Sequence, residues 1–529
     1  MGRFYSRNVQ LESNSNSTKN NNLHNSCILV DCKVATSDSK WTVDSEASGS
    51  TDELVYKAFP ALLPQVLAAV VASCISLATG ASLAFVTATL SLLKHESSRV
   101  QTSDNQLSWL ASYTMLGALV GGLLSGPCMS QGRRTTLWAC AVPLILAWVI
   151  LAKAHNVFMF HTSHFIFGLC IGIGNDAAQL YISEMAYSSS RGALGCIPVA
   201  MFNFGTMAFY FAALFKLPWD TLAWVGVGLT LPALVLPVFL PESPTYLASK
   251  CKRDSALLAL NKLRGSAWDA GPELTQLLSL ERPRLGLRAR LSALQEKSFI
   301  QPLLVVTCIR LFSRFCGMRA IQTYTQHILL ESNSSLSVEL ATFLTGLVQF
   351  ISILVACIIV ENKSRHFYML TSLGVMTLSL LLLATYLTLN TSAMLEEHQH
   401  WLGSLPMVCI AVYLIGNSLG LGPISGLILG ELVPQRHRCL ASSITGSLSW
   451  LAAFIVTKTY IDFNAILNLQ GTLFMYAAIC ILGIVFVTAF VPETRGKSQL
   501  EIEDLFGAEK LNDSKEQDKQ KSTKDCFCV

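Results

Sequence analysis

The chain has 529 residues, of which 52% are hydrophobic and 14% are charged, against roughly 25% charged in a typical soluble domain. Its formal net charge is +4, and its apolar residues stand in blocks of about 20 with few charges, the length that a helix needs to cross a bilayer. This composition argues against a soluble catalytic core, and no basic run among the apolar blocks indicates nucleic-acid binding.

The first 59 residues are rich in Asn and Ser and contain no long apolar run, which predicts a disordered cytosolic tail without a cleaved signal peptide. Twelve apolar blocks follow, and we refer to them as spans 1 to 12. Because each can cross a membrane as a helix, the sequence predicts an all-α membrane protein with twelve transmembrane helices. The predicted spans are residues 62–92, 107–128, 135–153, 157–183, 191–215, 222–240, 298–326, 338–360, 367–389, 404–430, 439–462 and 472–490.

The distribution of basic residues predicts the orientation of the chain in the membrane. If both termini are cytosolic, the tails and cytosolic loops hold 30 of the 38 Lys and Arg residues, whereas the outer loops hold 4. Positively charged loops are typical of the cytosolic side. Two Asn-x-Ser/Thr sequons, at Asn333 and Asn390, fall in outer loops and are candidate glycosylation sites. We therefore predict a multi-pass plasma-membrane protein with both termini in the cytosol.

A segment of 57 residues between spans 6 and 7, 241–297, holds ten Lys or Arg and divides the spans into two groups of six. Within it, Ala256, Leu257, Leu260 and Leu263 follow helical spacing, which predicts short amphipathic helices at the cytosolic membrane face. The predicted parts are a disordered tail (1–59), a six-helix bundle (60–240), a helical linker (241–297), a second six-helix bundle (298–490) and a cytosolic tail (491–529).

Charged residues recur at the cytosolic ends of corresponding spans. Glu184 and Arg191 follow span 4, and Glu431 and Arg438 follow span 10, offset by 247 residues in both cases. Parallel repeats of six helices are a known transporter architecture, with the solute bound between the halves near the membrane midplane. One such residue could be an ordinary solvated helix end, but the repetition favours a cytosolic latch that breaks when the cavity opens inward. The latch set also includes Arg133, Glu242, Glu361, Arg365 and Glu493.

Eight short motifs stand in a characteristic order: Gly117-Ala-Leu-Val-Gly-Gly122, Tyr181-Ile-Ser-Glu184, Arg191-Gly-Ala-Leu-Gly195, Pro241-Glu-Ser-Pro244, Gly420-Leu-Gly-Pro-Ile424, Leu440-Ala-Ser-Ser443, Val456-Thr-Lys-Thr459 and Val491-Pro-Glu-Thr-Arg-Gly-Lys-Ser498. In this order they resemble the sugar porters of the major facilitator superfamily, most closely the insect trehalose and hexose facilitators. The resemblance implies a major facilitator fold of two pseudo-symmetric six-helix halves. It also implies that spans 1, 4, 7 and 10 line a central cavity and that transport uses alternating access.

The chain departs from this family at the sugar site. Family members carry a pair of Gln and a Ser-Gly-Ile-Asn stretch on span 7, whereas this chain reads Ser313-Arg-Phe-Cys-Gly-Met-Arg319. The Trp that follows Gly-Pro on span 10 is Gly426, and the family's Asp between spans 2 and 3 is Met129. The sugar-site residues that the resemblance still implies are Asn203, Tyr324, Gln349 and Trp450.

Span 7 also contains three arginines, Arg310, Arg314 and Arg319. An arginine deep in a membrane costs at least about 2.5–3.5 kcal/mol on insertion, so each should face a wet cavity or a partner. One interpretation is a structural ion pair with Asp176 of span 4. The other is that the arginines belong to the binding site and bind an anionic solute. The sequence favours neither.

We expect a facilitative uniporter of a sugar such as trehalose or a hexose. The alternatives are a non-transporting sensor or scaffold of the same fold, or a carrier of an anionic sugar-like solute. Proton-coupled sugar porters pair an Asp on span 1 with an Arg on span 4, and the equivalent positions here are Val86 and His164. No motif indicates an enzyme, a metal site or a cofactor. The expected partners are the small solute and the lipid bilayer, without nucleic acid, and a monomer suffices.

Overall fold

The computed structural model describes residues 61–93, 103–187, 190–265, 268–279, 297–331, 337–359, 363–391, 403–433 and 438–493. The regular structure of these residues is helical throughout, and eleven helices are long and apolar enough to cross a membrane. The spans comprise, in chain order, Leu62–Ala72 with Cys74–Leu93, Asp104–Met129, Arg133–Ala152, Val157–Met185, Arg191–Gly195 with Ile197–Ala213, Trp219–Val235, Lys297–Phe315 with Met318–Thr323 and Thr325–Glu331, Val338–Ile359, Arg365–Thr391, Leu405–Leu419 with Leu421–Leu432, and Arg438–Phe490.

The last of these helices contains two spans. Arg438–Phe490 has 53 residues, which at 1.5 Å per residue is about 80 Å, more than twice the thickness of the hydrocarbon core. Its backbone leaves the helical region at Asn468, where φ is 58° and ψ is 172°. Two crossings meeting at Asn468 give spans 11 and 12, so the fold has the twelve transmembrane helices predicted from the sequence.

Each group of six spans packs around its own apolar core. In the first half, the fully buried Trp148 of span 3 packs against the rings of Phe85 and Phe167. In the second half, the buried Tyr413 and Tyr476 belong to the corresponding cluster. Apart from a few contacts such as those of Val86 and Ala111, which belong to the second cluster, the two cores are separate. This separation allows the two halves to move relative to each other as rigid bodies.

Spans 2 and 4 approach each other so closely that only glycine fits at their contact. A β-carbon on Gly117 would lie 2.2 Å from the carbonyl oxygen of Phe165, and one on Gly168 would lie 2.0 Å from that of Thr114. The glycines four residues further along each helix are similarly constrained. Small residues at this spacing allow membrane helices to pack backbone against backbone. The motif that runs from Gly117 to Gly122 is therefore a packing motif.

The described part of the linker, which runs as far as Ser279 with a gap at 266–267, contains three helices: Pro244–Ser249, Arg253–Arg264 and Gly271–Ser279. The apolar face predicted for the second helix is buried, with Ala256 and Leu260 inside a small cluster. Arg264 donates to the carboxylate of Glu273 at 2.7 and 3.1 Å and to the carbonyl oxygen of Met185 at 2.8 Å. These contacts attach the linker to the end of span 4.

The two ends of the bundle differ in how the halves meet. We call the end where the described chain begins, at Ala61, and finishes, at Glu493, the termini side, and the other end the opposite side. Among the described residues, the ion pairs at the termini side join groups of the same half or the linker. At the opposite side an ion pair and several hydrogen bonds connect one half to the other.

Candidate functional site

A cavity of about 260 Å³ lies between the two halves. It extends from Gln349 near the middle of the bundle to Pro198 and Ile353, near the termini-side ends of spans 5 and 8. Its described lining comes from spans 4, 5, 7, 8, 10 and 11, whereas the resemblance implied spans 1, 4, 7 and 10. Span 1 is missing from this lining because it packs on span 7 at the opposite side, where the hydroxyl of Thr87 donates to the carbonyl oxygen of Gln322 at 3.3 Å.

Spans 7 and 10 are both broken beside the cavity. Span 7 is interrupted at Gly317, whose φ of 88° is a left-handed conformation that glycine adopts easily. A β-carbon there would also lie 2.7 Å from the ring of Tyr476. Span 10 is interrupted at Gly420, where a β-carbon would lie 2.2 Å from the carbonyl oxygen of Tyr368. Broken helices expose backbone polar groups at a solute site, as they do in other transporters.

Amide side chains from several spans face the cavity. The described amides in the lining are Asn175, Gln179, Asn203, Gln349 and Asn417. The cavity therefore has amides on spans 4, 5, 8 and 10 in place of the family's Gln pair on span 7. Three of them, Asn175, Gln179 and Asn417, were not selected by sequence reasoning. The one available signal was the pair Asn175 and Gln179, which stand four residues apart and therefore share one face of span 4.

These amides have hydrogen-bonding capacity left for a ligand. The buried Oδ1 of Asn417 has no hydrogen-bond partner among the described residues. Gln349 accepts a bond of 3.3 Å from the amide of Gln322, which leaves its own NH₂ group as a donor. Because an amide both donates and accepts, such a lining suits a solute with many hydroxyl groups.

Two of the three arginines of span 7 also line the cavity. The Nε of Arg314 donates to the hydroxyl of Ser449 at 2.8 Å, and Nη1 of Arg319 donates to Oε1 of Gln322 at 2.9 Å. Their guanidinium carbons lie 5.2 and 5.7 Å, respectively, from the ring centroid of Trp450. Trp450 therefore makes cation–π contacts with two positive charges.

Arg310 is outside the cavity lining, one helical turn nearer the termini side. Its Nε donates to the carbonyl oxygen of Ser425 at 3.3 Å, and its Nη1 donates to the hydroxyl of Thr445 at 3.0 Å. Asp176 attracts it electrostatically but makes no direct ion pair with it in the described structure. The structural ion pair considered from the sequence is thus a longer-range attraction, and it involves only one of the three arginines.

Tyr324 lies away from the cavity, unlike the other residues predicted for the sugar site. It is buried at the opposite side, with its ring stacked on that of Tyr460 at a centroid distance of 4.5 Å. Its hydroxyl donates to the carbonyl oxygen of Thr457 at 3.5 Å. Span 7 is interrupted at Tyr324 before it restarts at Thr325, and the ring faces span 11 instead of the cavity. In this conformation Tyr324 belongs to the contacts that close the opposite side.

A charged cluster joins three spans of the first half at the termini side. Arg133 donates to both carboxylate oxygens of Glu184, at 2.9 and 2.8 Å, and Glu242 accepts the backbone N–H of Arg133 at 2.9 Å. The sequence paired Glu184 with Arg191 instead. Arg191 is exposed and follows the end of span 4 at Met185, while the start of span 3 holds Arg133 against Glu184.

The second half repeats this cluster at the ends of its corresponding spans. Arg365 donates to Glu431 at 3.2 Å, and its backbone N–H donates to Glu493 at 3.2 Å. Glu361 and the side chain of Arg438 lie outside the described part of the chain. Both clusters connect spans of one half, so the described contacts show two intra-half clamps, and their action as a latch between the halves stays a prediction.

Lys458 of span 11 connects the two halves at the opposite side. Its Nζ donates to the hydroxyl of Ser108 at 3.1 Å and to Oδ1 of Asn105 at 3.4 Å. An exposed ion pair of 3.6 Å between Lys216 and Glu339 joins spans 5 and 8 at the same side. Sequence reasoning missed this role, because an isolated lysine near a span end looks like an ordinary interfacial residue. The cavity thus extends toward the termini side while these contacts close the opposite side.

Several predictions fall outside the described residues. Asn333, the tail 1–59 and the chain beyond Glu493 are among them. Asn390 is the penultimate residue of the helix Arg365–Thr391, at the opposite side. Glycosylation at both sequons stays a prediction.

The fold and the cavity define a class of protein: a multi-pass membrane protein whose two six-helix halves enclose a polar site. A family model described as "Sugar (and other) transporter" matches residues 67–506, and the chain belongs to this family. The facilitated trehalose transporter Tret1-2 homolog of Drosophila sechellia is 32% identical over 443 residues, 83% of this chain and 90% of that protein. The facilitated trehalose transporter Tret1 of Polypedilum vanderplanki is 31% identical over 443 residues, 83% of this chain and 87% of that protein.

Solved structures agree with this fold. The partially occluded inward open conformation of the xylose transporter XylE from E. coli superposes with a TM-score of 0.68 at 20% sequence identity, covering 82% of this chain and 99% of that chain. Its inward open conformation also has a TM-score of 0.68 at 20% identity, covering 83% and 98%. At this identity the comparison establishes the shared major facilitator fold.

Proposed function

We propose that this protein is a facilitative carrier of a sugar or sugar-like solute, a uniporter that works by alternating access in the plasma membrane with both termini cytosolic. The amide-lined cavity between the two halves carries the proposal, because amides from four spans converge on a space of sugar size. Membership of the transporter family and the similarity to facilitated trehalose transporters support it. These relatives are described as transporters, which is consistent with a function other than catalysis.

Alternating access exchanges the contacts that close one side for contacts that close the other. Here the contacts of Lys458 and Lys216 close the opposite side. The two charged clusters stand at equivalent span ends on the termini side, and we propose that they form the latch when that side closes. Their repeated geometry supports this role, since each half places an arginine and two glutamates at equivalent span ends of the termini side.

The surroundings of His164 support uniport. Its ring is fully buried between the rings of Phe85 and Phe167, and neither ring nitrogen has a hydrogen-bond partner among the described residues. Val86, at the position of the coupling carboxylate, is a buried apolar residue. The proton-coupled sugar porters that this chain resembles pair a carboxylate on span 1 with an arginine on span 4, and the described residues of this pocket supply neither partner.

The test is uptake of labelled trehalose, glucose, xylitol and glucuronate into proteoliposomes containing the purified protein. We expect saturable uptake of at least one solute, reduced about fivefold or more by Gln349→Ala through the lost hydrogen bonds. Gln131→Ala, at an exposed loop position, is the matched control and should transport normally. A folded wild-type protein that takes up none of the four would instead indicate the sensor or scaffold.

Energy coupling is tested on the same vesicles with the membrane potential clamped. A protonophore should leave the initial rate of uptake unchanged. Abolition of uptake when the proton gradient collapses would contradict uniport and would direct attention to His164.

A further inference from the structure

The charges around the cavity are unbalanced. The lining includes two arginines and no acidic residue among those described. Arg314 and Arg319 share the ring of Trp450, and Arg310 adds a third charge of the same sign that repels Arg314. The carboxylate of Asp176, which is not among the described lining residues, acts electrostatically on Arg310. A half-buried cation without a counter-charge is unfavourable, so this cavity should attract an anion.

The donors of the two guanidinium groups are only partly used. Arg314 makes one hydrogen bond in the described structure, from Nε to Ser449, so its two Nη groups remain available. The buried Nε of Arg319 has no partner among the described residues. These free donors border the cavity and match the paired hydrogen bonds that a guanidinium makes with a carboxylate.

The aromatic ring that would stack on a neutral sugar is already engaged. Arg314 and Arg319 both lie over the ring of Trp450, and Arg319 also lies 5.8 Å from the ring centroid of Phe202. A sugar ring would have to displace these cation–π contacts to stack there. The cavity thus presents cations where a neutral sugar needs an apolar face, together with amides that suit hydroxyl groups.

We propose that the preferred solute is an acidic sugar, with several hydroxyl groups and a carboxylate that binds Arg314 and Arg319. The amides on spans 4, 5, 8 and 10 bind its hydroxyls. This inference rests on the proposed transport function and specifies the chemical class of its substrate. Arg310 is held by Ser425 and Thr445 and is not among the lining residues, so it is left out of this site.

The decisive measurement compares three ligands of nearly equal shape on the protein in lipid nanodiscs: glucuronate, its neutral amide glucuronamide, and glucose. Calorimetry at neutral pH should show glucuronate binding at least about tenfold more tightly than glucuronamide, as expected for a charge-assisted hydrogen bond. Arg314→Gln should abolish this preference. Arg253→Gln, an equal loss of charge at an exposed linker position, should keep the preference.

The proposal is overturned if acid and amide bind equally to the wild type, if none of the three binds, or if Arg314→Gln retains the full preference. If Arg314→Gln does not fold, Arg319→Gln replaces it. The comparison of glucuronate with glucuronamide on the wild type then still tests the proposal. Uptake on the same preparation separates the two proposals. Efficient glucose uptake without preference for the acid refutes the acidic-sugar assignment alone, whereas selective binding of the acid without uptake of any solute refutes transport alone.

Discussion

Arg133 and Arg314 show two ways in which one protein accommodates an arginine at low exposure. Arg133 is 17% exposed and makes a bidentate ion pair with Glu184, which is 12% exposed. Arg314 has a hydroxyl and an aromatic ring as its neighbours, without a carboxylate. The first arrangement is internally neutral and stabilises the ends of packed spans, whereas the second leaves a charge that a ligand can neutralise.

Glu184→Gln should destabilise the protein, because it leaves the guanidinium of Arg133 without its counter-charge. We expect a loss of about 2 kcal/mol, below the roughly 3–5 kcal/mol of a fully buried pair because this pair retains some exposure. The measurement is the thermal unfolding midpoint of the purified protein. Glu339→Gln is the matched control, since Glu339 pairs with a Lys216 that is 70% exposed and such pairs contribute about 0–1 kcal/mol. Equal losses of stability in the two variants would contradict a stabilising ion pair between Arg133 and Glu184.

The elements owe their geometry to a few glycines placed where side chains would collide. Gly168 permits span 4 to touch the backbone of span 2, and Gly317 permits span 7 to break beside the cavity. The two spans therefore differ in structure. Span 4 is a continuous helix within a tightly packed half, whereas span 7 is broken at Gly317, with Arg314 before the break and Arg319 after it.

Gly168→Ala should lower stability markedly, because its methyl group would lie 2.0 Å from the carbonyl oxygen of Thr114. Overpacking of this kind costs about 1–3 kcal/mol, and backbone atoms cannot move aside cheaply. Gly126→Ala is the control within span 2, since a β-carbon there meets nothing within 4 Å. Thermal unfolding and the yield of monodisperse protein measure both variants. A Gly168→Ala protein as stable as Gly126→Ala would show that spans 2 and 4 are less closely packed than described.

At the scale of the whole molecule, two intact halves meet at contacts that depend on the conformation. Lys458 with Ser108, and Thr87 with the backbone of Gln322, connect the halves at the opposite side. The described ion pairs of the termini side remain within single halves or the linker. This asymmetry defines a conformation in which the cavity is accessible from the termini side.

Lys458→Ala should favour conformations that open at the opposite side. Loss of hydrogen bonds from a charged donor costs the closed state roughly 1.5 kcal/mol, about a tenfold change in the ratio of the two states. Thr87→Cys, in a background without other accessible cysteines, reports this change through its labelling rate with a membrane-impermeant thiol reagent. Lys153→Ala, at an exposed position near the same side, is the control and should label like the parent. An unchanged rate in Lys458→Ala would mean that this lysine does not hold the halves together.

The sequence by itself determined the number, order and approximate limits of the spans and their division into two groups of six. It did so because span length and apolar content are local properties, set by the thickness of the bilayer. The sequence, with the family that it resembles, also predicted Asn203, Gln349, Trp450 and the arginines of span 7 as site residues, and most of them line the cavity. Only the tertiary structure showed that Glu184 pairs with Arg133, that Tyr324 lies outside the cavity, and that Lys458 joins the halves. Those contacts join residues that are far apart in sequence. They depend on how each helix is rotated about its axis and on the breaks at Gly317 and Gly420, and helical periodicity specifies neither.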